Sequence, residues 1–328
     1  MKSATRLLAV TAALAASALV LGGCAAAGPS GADGDKKYTI AFIPGIASDP
    51  FFKAMEVGAR DAADDLGIEL IWQGSASDYS PQTQIPFVDA ALAQQVDALI
   101  LVPTDPDSLQ ASVTKAEAAG IPVITVDTTV TDQAYLTSHI TGDNVDGGRQ
   151  AAITLAEQIG GKGKVFIQSG SPSATTNTLR EQGFRDELEA NFPDIEIVGR
   201  EYSNSQPANA TSAINTILLN EPDLAGIFAI DGTSGTGAIA ALKNSGKVGD
   251  VKLIGYDAYA AQVEALQEGV FSALIVQQPG EEAKLALEYA LAQLTGEGKD
   301  DIEKTVVIKN IVMTKDNFDE TGQYEYVE

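Results

Sequence analysis

The chain has 328 residues, a formal net charge of −24, one cysteine and one histidine. So acidic a surface repels phosphate backbones and anionic headgroups, which argues against nucleic acid as a partner. A lone cysteine excludes an internal disulfide, and a lone histidine beside it leaves no ligand set for zinc, so no metal and no cofactor is expected.

Lys2 and Arg6 form a basic start, and residues 7–21 are almost wholly Ala, Leu and Val before Leu21-Gly22-Gly23-Cys24. Residues 1-23 therefore read as a secretory signal peptide, with an apolar run too short for a comfortable membrane-spanning helix of ~20 residues. The tetrapeptide resembles the bacterial lipobox, which implies that Cys24 is diacylated and becomes the new first residue. A plain cleaved signal followed by a stray thiol is the alternative. A lipid there would hold a soluble body at the extracytoplasmic face of the cell membrane. Residues 24-37 are small, polar and Gly-rich, the composition of a flexible tether.

From Tyr38 about 290 residues remain, enough for two domains with a core each. Short β-branched runs alternate there with Ala-rich amphipathic segments, the signature of parallel sheets with helices on both faces. A first series of strands is predicted at 39–43, 68–72, 98–102 and 122–126. Phe52, Met55, Ala59, Ala62, Ala63 and Leu66 mark one face of a helix between the first two. Pro86 predicts a late start or a kink in a helix over 82–95. A second series lies at 164–168, 195–200, 226–230 and 252–255, with helices at 178–191, 208–219 and 237–245. The tail differs: a strand at 271–277, a helix at 280–294, and an apolar strand-like run at 305–314 interrupted by Lys309-Asn310. Such a tail suits a chain that crosses back between domains.

Ligands of open parallel sheets bind beyond the carboxyl ends of the strands. There stand Asp49, Phe51 and Phe52 after the first strand, Asp127 after the fourth, and Arg180 beyond a Ser/Thr-rich loop. Asp231, Asp257 and Gln277 follow three later strands. Carboxylates, an amide and a guanidinium bind vicinal hydroxyls, and aromatic faces pack on the C–H faces of a sugar ring.

Asp-Pro-Phe-Phe at 49–52, Val-Asp-Ala-Leu-Ile-Leu-Val-Pro-Thr-Asp at 96–105, Gly-Ile-Pro-Val-Ile-Thr-Val-Asp at 120–127 and Ile-Thr-Gly-Asp-Asn-Val-Asp-Gly-Gly at 140–148 resemble the ribose-type periplasmic sugar-binding proteins. So do Leu-Arg-Glu-Gln-Gly-Phe at 179–184, Pro-Asp-Leu-Ala-Gly-Ile-Phe-Ala at 222–229 and Ile-Gly-Tyr-Asp at 254–257. The resemblance covers nearly everything from Tyr38 to about Ile311. It implies an α/β fold of type I: two doubly wound parallel-sheet lobes joined by a three-crossover hinge. The N-terminal lobe would be 38-141 plus 278-308 and the C-terminal lobe 142-277 plus 309-328. It further implies a monomeric substrate-binding lipoprotein of an ABC importer, with the ABC permease and its ATPase complex as partners. Asp49, Phe51, Phe52, Asp127, Arg180, Asp231, Asp257 and Gln277 are the implied sugar contacts.

Relatives that bind ribose have Asn at the position of Asp49 and Arg where Thr128 stands; they commonly have Asn at Asp231 and Asp at Gly232. Gln206 falls near the second lobe's stacking position in place of an aromatic. Four aspartates against one Arg180 disfavour an anionic sugar, so the expected ligand is a neutral monosaccharide or polyol, with an amino sugar as a variant. Arg180→Ala is expected to abolish most binding with little loss of folding. A furanone-type signal molecule and, further off, a secreted carbohydrate hydrolase are the competing readings.

Duller roles stand beside these. An Asp at a strand end often caps the next helix, and for Asp231 and Asp257 the residues alone leave cap and ligand even. Adjacent Phe51 and Phe52 cannot both face inward from a helix start, which places at least one in the cleft. Trp72 reads as core or cleft wall and His139 as structural. Gly232-Thr-Ser-Gly-Thr-Gly237 lacks the Lys-Ser/Thr of a phosphate loop and reads as a tight turn whose free N–H groups face the cleft. Gly142 and Ile153 stand where a calcium loop needs acids, so calcium is rejected there.

Overall fold

The computed structural model describes residues 37–327; the signal peptide and the Cys24 lipidation expected from the sequence lie outside them. In the first half, strands and helices alternate as β1 (Thr39–Ile43), α1 (Pro50–Leu66), β2 (Glu69–Trp72), α2 (Pro81–Ala93), β3 (Ala98–Leu101), α3 (Gln110–Ala118), β4 (Val123–Val126) and β5 (Ser138–Gly142). The second half runs α4 (Asn144–Ile159), β6 (Gly163–Ser169), α5 (Thr175–Asn191), β7 (Ile195–Tyr202), α6 (Pro207–Asn220), β8 (Leu224–Ala229), α7 (Gly232–Ser245), β9 (Lys252–Tyr256), α8 (Ala260–Glu268) and β10 (Ala273–Val276). Then come α9 (Pro279–Thr295), β11 (Thr305–Ile308), β12 (Ile311–Met313) and a short α10 (Phe318–Thr321).

Two six-stranded sheets result, ordered β11-β5-β4-β3-β1-β2 and β12-β10-β9-β8-β6-β7. Every pairing is parallel except β10 with β12, so the second sheet carries one antiparallel edge. Each sheet is the centre of one lobe. Alternation along the strands supplies both faces. Ala41, Ile43, Leu99 and Leu101 pack with Val88 and Val113 of α2 and α3, while Ile40, Phe42 and Ile100 pack with Met55 and Leu287 of α1 and α9. In the other lobe Val165, Ile167, Phe228 and Ile254 face Leu155 and Phe184.

The apolar run at 305–314 is two strands, not one: β11 pairs with β5 in the first sheet and β12 with β10 in the second. Lys309-Asn310 is thus a passage between lobes, the third after Gly142–Asp143 and Gln277–Gln278. Strand β5 had no counterpart among the predicted strands. Its sequence, Ser-His-Ile-Thr-Gly, is too polar to show a period, yet all five residues are buried between β4 and β11. Helix α2 starts early, capped by Ser80 with Pro81 at its first turn, and runs through Pro86. Its fit lies in the missing N–H: only the Gln82 carbonyl is deprived of a partner.

Candidate functional site

The switch points of the two sheets, where strand order reverses, lie between β1 and β3 and between β6 and β8. Carboxyl ends of both sheets meet there across a cleft enclosing about 520 Å³, its open mouth included. All eight residues singled out from the sequence line it: Asp49, Phe51, Phe52, Asp127, Arg180, Asp231, Asp257 and Gln277.

Asp127 and Asp257 hold equivalent places in the two lobes. Each follows its strand in left-handed backbone, φ 59° and 75°, and each donates its N–H to the neighbouring strand, at Ile140 O and Ile275 O, both 2.8 Å. Non-glycine residues seldom adopt that conformation, and its recurrence at two carboxylates aimed into one cleft marks a functional constraint.

Arg180 lies in α5, which approaches α4 closely. A Cβ on Gly148 would fall 2.0 Å from the Arg180 carbonyl oxygen, and one on Gly183 2.0 Å from that of Val145. Glycine at both crossings lets the helices touch and brings the guanidinium under the cleft floor. It is 2% exposed. Its Nε donates to Asn144 Oδ1 and Nη2 to Gln277 Oε1, both 2.7 Å, and Nη1 to Ile230 O at 3.2 Å. The group stacks 3.8 Å above the Tyr256 ring, and Asp127 Oδ1 stands 3.9 Å from Nη2. The expectation that Arg180 can be removed with little loss of folding does not fit this geometry: three buried acceptors depend on it.

Asp257 is equally enclosed. Its Oδ1 accepts from Gln277 Nε2 (2.7 Å) and Tyr326 OH (3.1 Å), and its Oδ2 from Gly232 N (2.8 Å). Asp231 caps α7 through Ser234 N (2.8 Å) and also accepts from Thr233 Oγ1 (2.7 Å) and Asn177 Nδ2 (3.0 Å). Asp231 therefore holds a cap and a cleft position together. The sequence suggested free N–H groups at the start of Gly232–Gly237, but Asp257 takes that of Gly232 and Asp231 that of Ser234, and the segment is the start of α7 itself.

Asp49 caps α1, accepting from Phe51 N at 2.9 Å, and receives the Tyr259 hydroxyl from the opposite lobe at 2.8 Å. A second bond between lobes joins Thr129 N to Thr175 Oγ1 at 3.4 Å. The lobes are thus closed on one another. Phe51 and Phe52 are both buried and both line the cleft, edge to face at 5.1 Å. The cleft itself is interior here, so neighbouring ring positions need not choose between core and site.

Burial pushes the carboxyls up. Asp49 rises to about 7, with the Tyr259 hydroxyl opposing, and Asp127 to about 7, with Arg180 opposing. Burial also raises Asp257, again against Arg180. Glu282 of α9, fully buried with neither oxygen hydrogen-bonded, is driven well above the carboxylate range by burial and then by Asp127. Asp127 Oδ1 has no hydrogen bond either. The cleft therefore presents acceptors in excess, and its one cation is engaged by protein.

Sequence reasoning missed Tyr79, Asn177, Ser205 and Tyr259, which also line the cleft. Asn177 was within sight in the Ser/Thr-rich loop, and Tyr259 two residues past Asp257. Gln206 stands at the N-cap position of α6 without a side-chain cap bond, and Ser205 takes the lining place near it. Trp72 packs on Phe42 at 4.6 Å outside the lining, and His139 pairs through Nδ1 with Thr125 Oγ1 at 3.0 Å. Burial holds His139 down at about 4. Asp143, in the rejected calcium loop, caps α4.

The family described as periplasmic binding protein domain matches residues 40–298. The chain is 30% identical over 280 residues to the ribose import binding protein RbsB of Bacillus subtilis (strain 168), covering 85% of this chain and 88% of that one. It is 30% identical over 294 residues to the xylitol-binding protein of Mycolicibacterium smegmatis, covering 89% and 81%. A solved ABC transporter solute-binding protein from Agrobacterium vitis, bound with alpha-D-tagatopyranose, is similar at TM-score 0.85 and 35% identity, covering 89% of this chain and 100% of that one. Another from the same organism, with bound D-fucose, gives 0.83 at 30% identity, covering 88% and 100%. With two lobes closing at their switch points and such kin along most of its length, this chain belongs to the periplasmic binding protein family.

Proposed function

We propose that the protein is an extracytoplasmic solute receptor of an ABC importer, closing on a neutral monosaccharide or related polyol and delivering it to the permease and its ATPase complex. One observation carries the ligand class: the cleft offers carboxylate acceptors from both lobes while Arg180 is already engaged by Asn144, Gln277 and Ile230. Hydroxyl donors suit such a site; a phosphate or carboxylate would meet uncompensated charge in a desolvated space. Phe51, Phe52, Tyr79 and Tyr259 supply ring faces for C–H packing. The relatives are transport binding proteins, and we read this chain likewise as a non-enzymatic receptor, monomeric and held at the membrane by lipid on Cys24.

The mechanism follows from the three passages between lobes. Short extended links can hinge, and closure is favoured only by what the ligand gains in the closed form over the open one. A micromolar ligand corresponds to about 8 kcal/mol. A thermal-shift and calorimetric panel of pentoses, hexoses, polyols, amino sugars and sugar phosphates tests the reading. A neutral compound at a hundredfold excess over its Kd should add about 2.7 kcal/mol of stability. Tight binding of a sugar phosphate, or silence across the panel, would overturn it.

A further inference from the structure

Beyond β12 the chain continues through residues 314–327 and returns to the cleft. A knot around Asn317 turns it: Thr314 N donates to Asn317 Oδ1 at 2.7 Å, and Asn317 Nδ2 to Val312 O at 2.9 Å. Helix α10 and a single turn at Gly322–Tyr324 then bring Tyr326 under the site. Its N–H donates to Ala258 O at 3.0 Å. The ring is 5% exposed although the next residue, Val327, is 69% exposed.

Tyr326 touches the binding apparatus at three points without lining the cleft. Its hydroxyl donates to Asp257 Oδ1 at 3.1 Å. Its ring centroid lies 6.1 Å from that of Phe51, in the opposite lobe, and 6.1 Å from that of Tyr259. A phenylalanine would fill the same space. A buried hydroxyl demands a partner, and this one takes an oxygen of a cleft carboxylate. With Gln277 Nε2 on the same oxygen and Gly232 N on the other, three of the carboxylate's four acceptor directions are fixed, and one remains for a ligand.

We propose that Tyr326 is a positioning residue of the ligand site, locking the Asp257 carboxylate in its receiving geometry and backing Phe51 from across the cleft. The segment after β12 is then a working part of the receptor and not a trailing end. This inference rests on the sugar-receptor reading. Tyr326 adds to the anchors that α7 and the end of β10 give Asp257, through Gly232 N and Gln277 Nε2, a third from the segment after β12.

The test is Tyr326→Phe in the full chain, with D-ribose, xylitol, D-tagatose and D-fucose as probes. Affinity for the tightest probe should fall about tenfold, the loss typical of one hydrogen bond to a charged group. A second readout needs no ligand: the titration of the Asp257 carboxyl carbon by NMR. Arg180, Asp231, Asp49, Asp127 and Glu282 surround that carboxyl in both proteins, so the difference isolates the hydroxyl. Because the hydroxyl favours the ionised form, its loss should move the midpoint to higher pH, and the acid limb of the affinity profile should move with it. A merely space-filling tyrosine would move neither. An unmoved midpoint, or a moved midpoint with unchanged affinity, would overturn the proposal. If none of the four binds the wild type, the tightest neutral ligand of the wider panel replaces them; silence across that panel overturns the sugar reading and leaves the NMR midpoint to decide on Tyr326. Tyr326→Ala should release ligand faster than Tyr326→Phe; equal dissociation rates would remove the support given to Phe51.

Discussion

Arg180→Met is the most revealing perturbation of this molecule. Methionine keeps the length and much of the packing on Tyr256 but removes the charge and every donor. Three acceptors lose their partner: Asn144 Oδ1, Gln277 Oε1 and Ile230 O. Hydrogen bonds from a charged group contribute about 1.5–3 kcal/mol each, but the sum overshoots because the released amides can relax and the nearby carboxyls can take up protons. Loss of one partner from a buried charged set costs about 3–5 kcal/mol, which for a body of this size lowers the melting midpoint by about 5–8 °C. The sign with pH is equally specific. Asp127 and Asp257 are already raised by burial with Arg180 holding them down; without it they rise further. A raised folded-state value means that stability present at low pH is lost as pH climbs through that value. The variant should therefore differ least from wild type near pH 4, where the three unpaired acceptors alone set its deficit, and fall progressively further behind up to and beyond pH 7. Thermal unfolding of the ligand-free chain across that range measures it. A midpoint within about 2 °C of wild type at pH 8 would refute the claim that this guanidinium is desolvated and indispensable.

Tyr259→Phe removes the 2.8 Å bond to Asp49 that ties the lobes together; small-angle scattering should show a more open ligand-free form, with affinity down about fivefold. An unchanged scattering curve would count against an interlobe tie. Asp231→Asn keeps an oxygen for the Ser234 N–H, whereas Asp231→Ala loses the cap and should cost about 1 kcal/mol. Both should weaken ligand binding, and full binding by the Asn variant would leave Asp231 as a cap only. Burial holds Asp49 and Asp127 at about 7, and hydroxyl donors favour their ionised forms. Binding should thus release protons and tighten as pH rises through 7, which calorimetry in buffers of different ionisation enthalpy reads directly; proton uptake would reverse the argument.

Five of the residues that sequence reasoning placed in the cleft, Asp49, Asp127, Asp231, Asp257 and Gln277, follow an apolar strand, so topology alone carries them to the cleft. Asp49 after β1 and Asp257 after β9 needed no knowledge of side-chain packing. Glu282 shows the opposite case. It stands beside Glu281 in the first turn of α9, where acids are favoured by the helix dipole and normally solvated. Glu281 is exposed, yet Glu282 is wholly enclosed because its turn packs on the hinge. Nothing local distinguishes the two. Tyr326 was hidden for a similar reason, since its partners lie 69 residues away at Asp257 and farther still at Phe51. Strand β5 was missed because its burial comes from neighbouring strands and not from its own composition.

The division of one apolar run between two sheets also bears on how the chain is made. Strand β11 is needed to cover the β5 edge of the first lobe, yet it is synthesised after all of the second lobe's strands except β12. Until then β5 offers open backbone donors and acceptors, a template for pairing with another nascent chain. The first lobe cannot finish early, and the two must mature together, with closure of the first sheet governed by a contact of long sequence separation. Slow completion and a need for protection during biosynthesis follow from Lys309-Asn310, one of the three passages at which the proposed closure bends the chain.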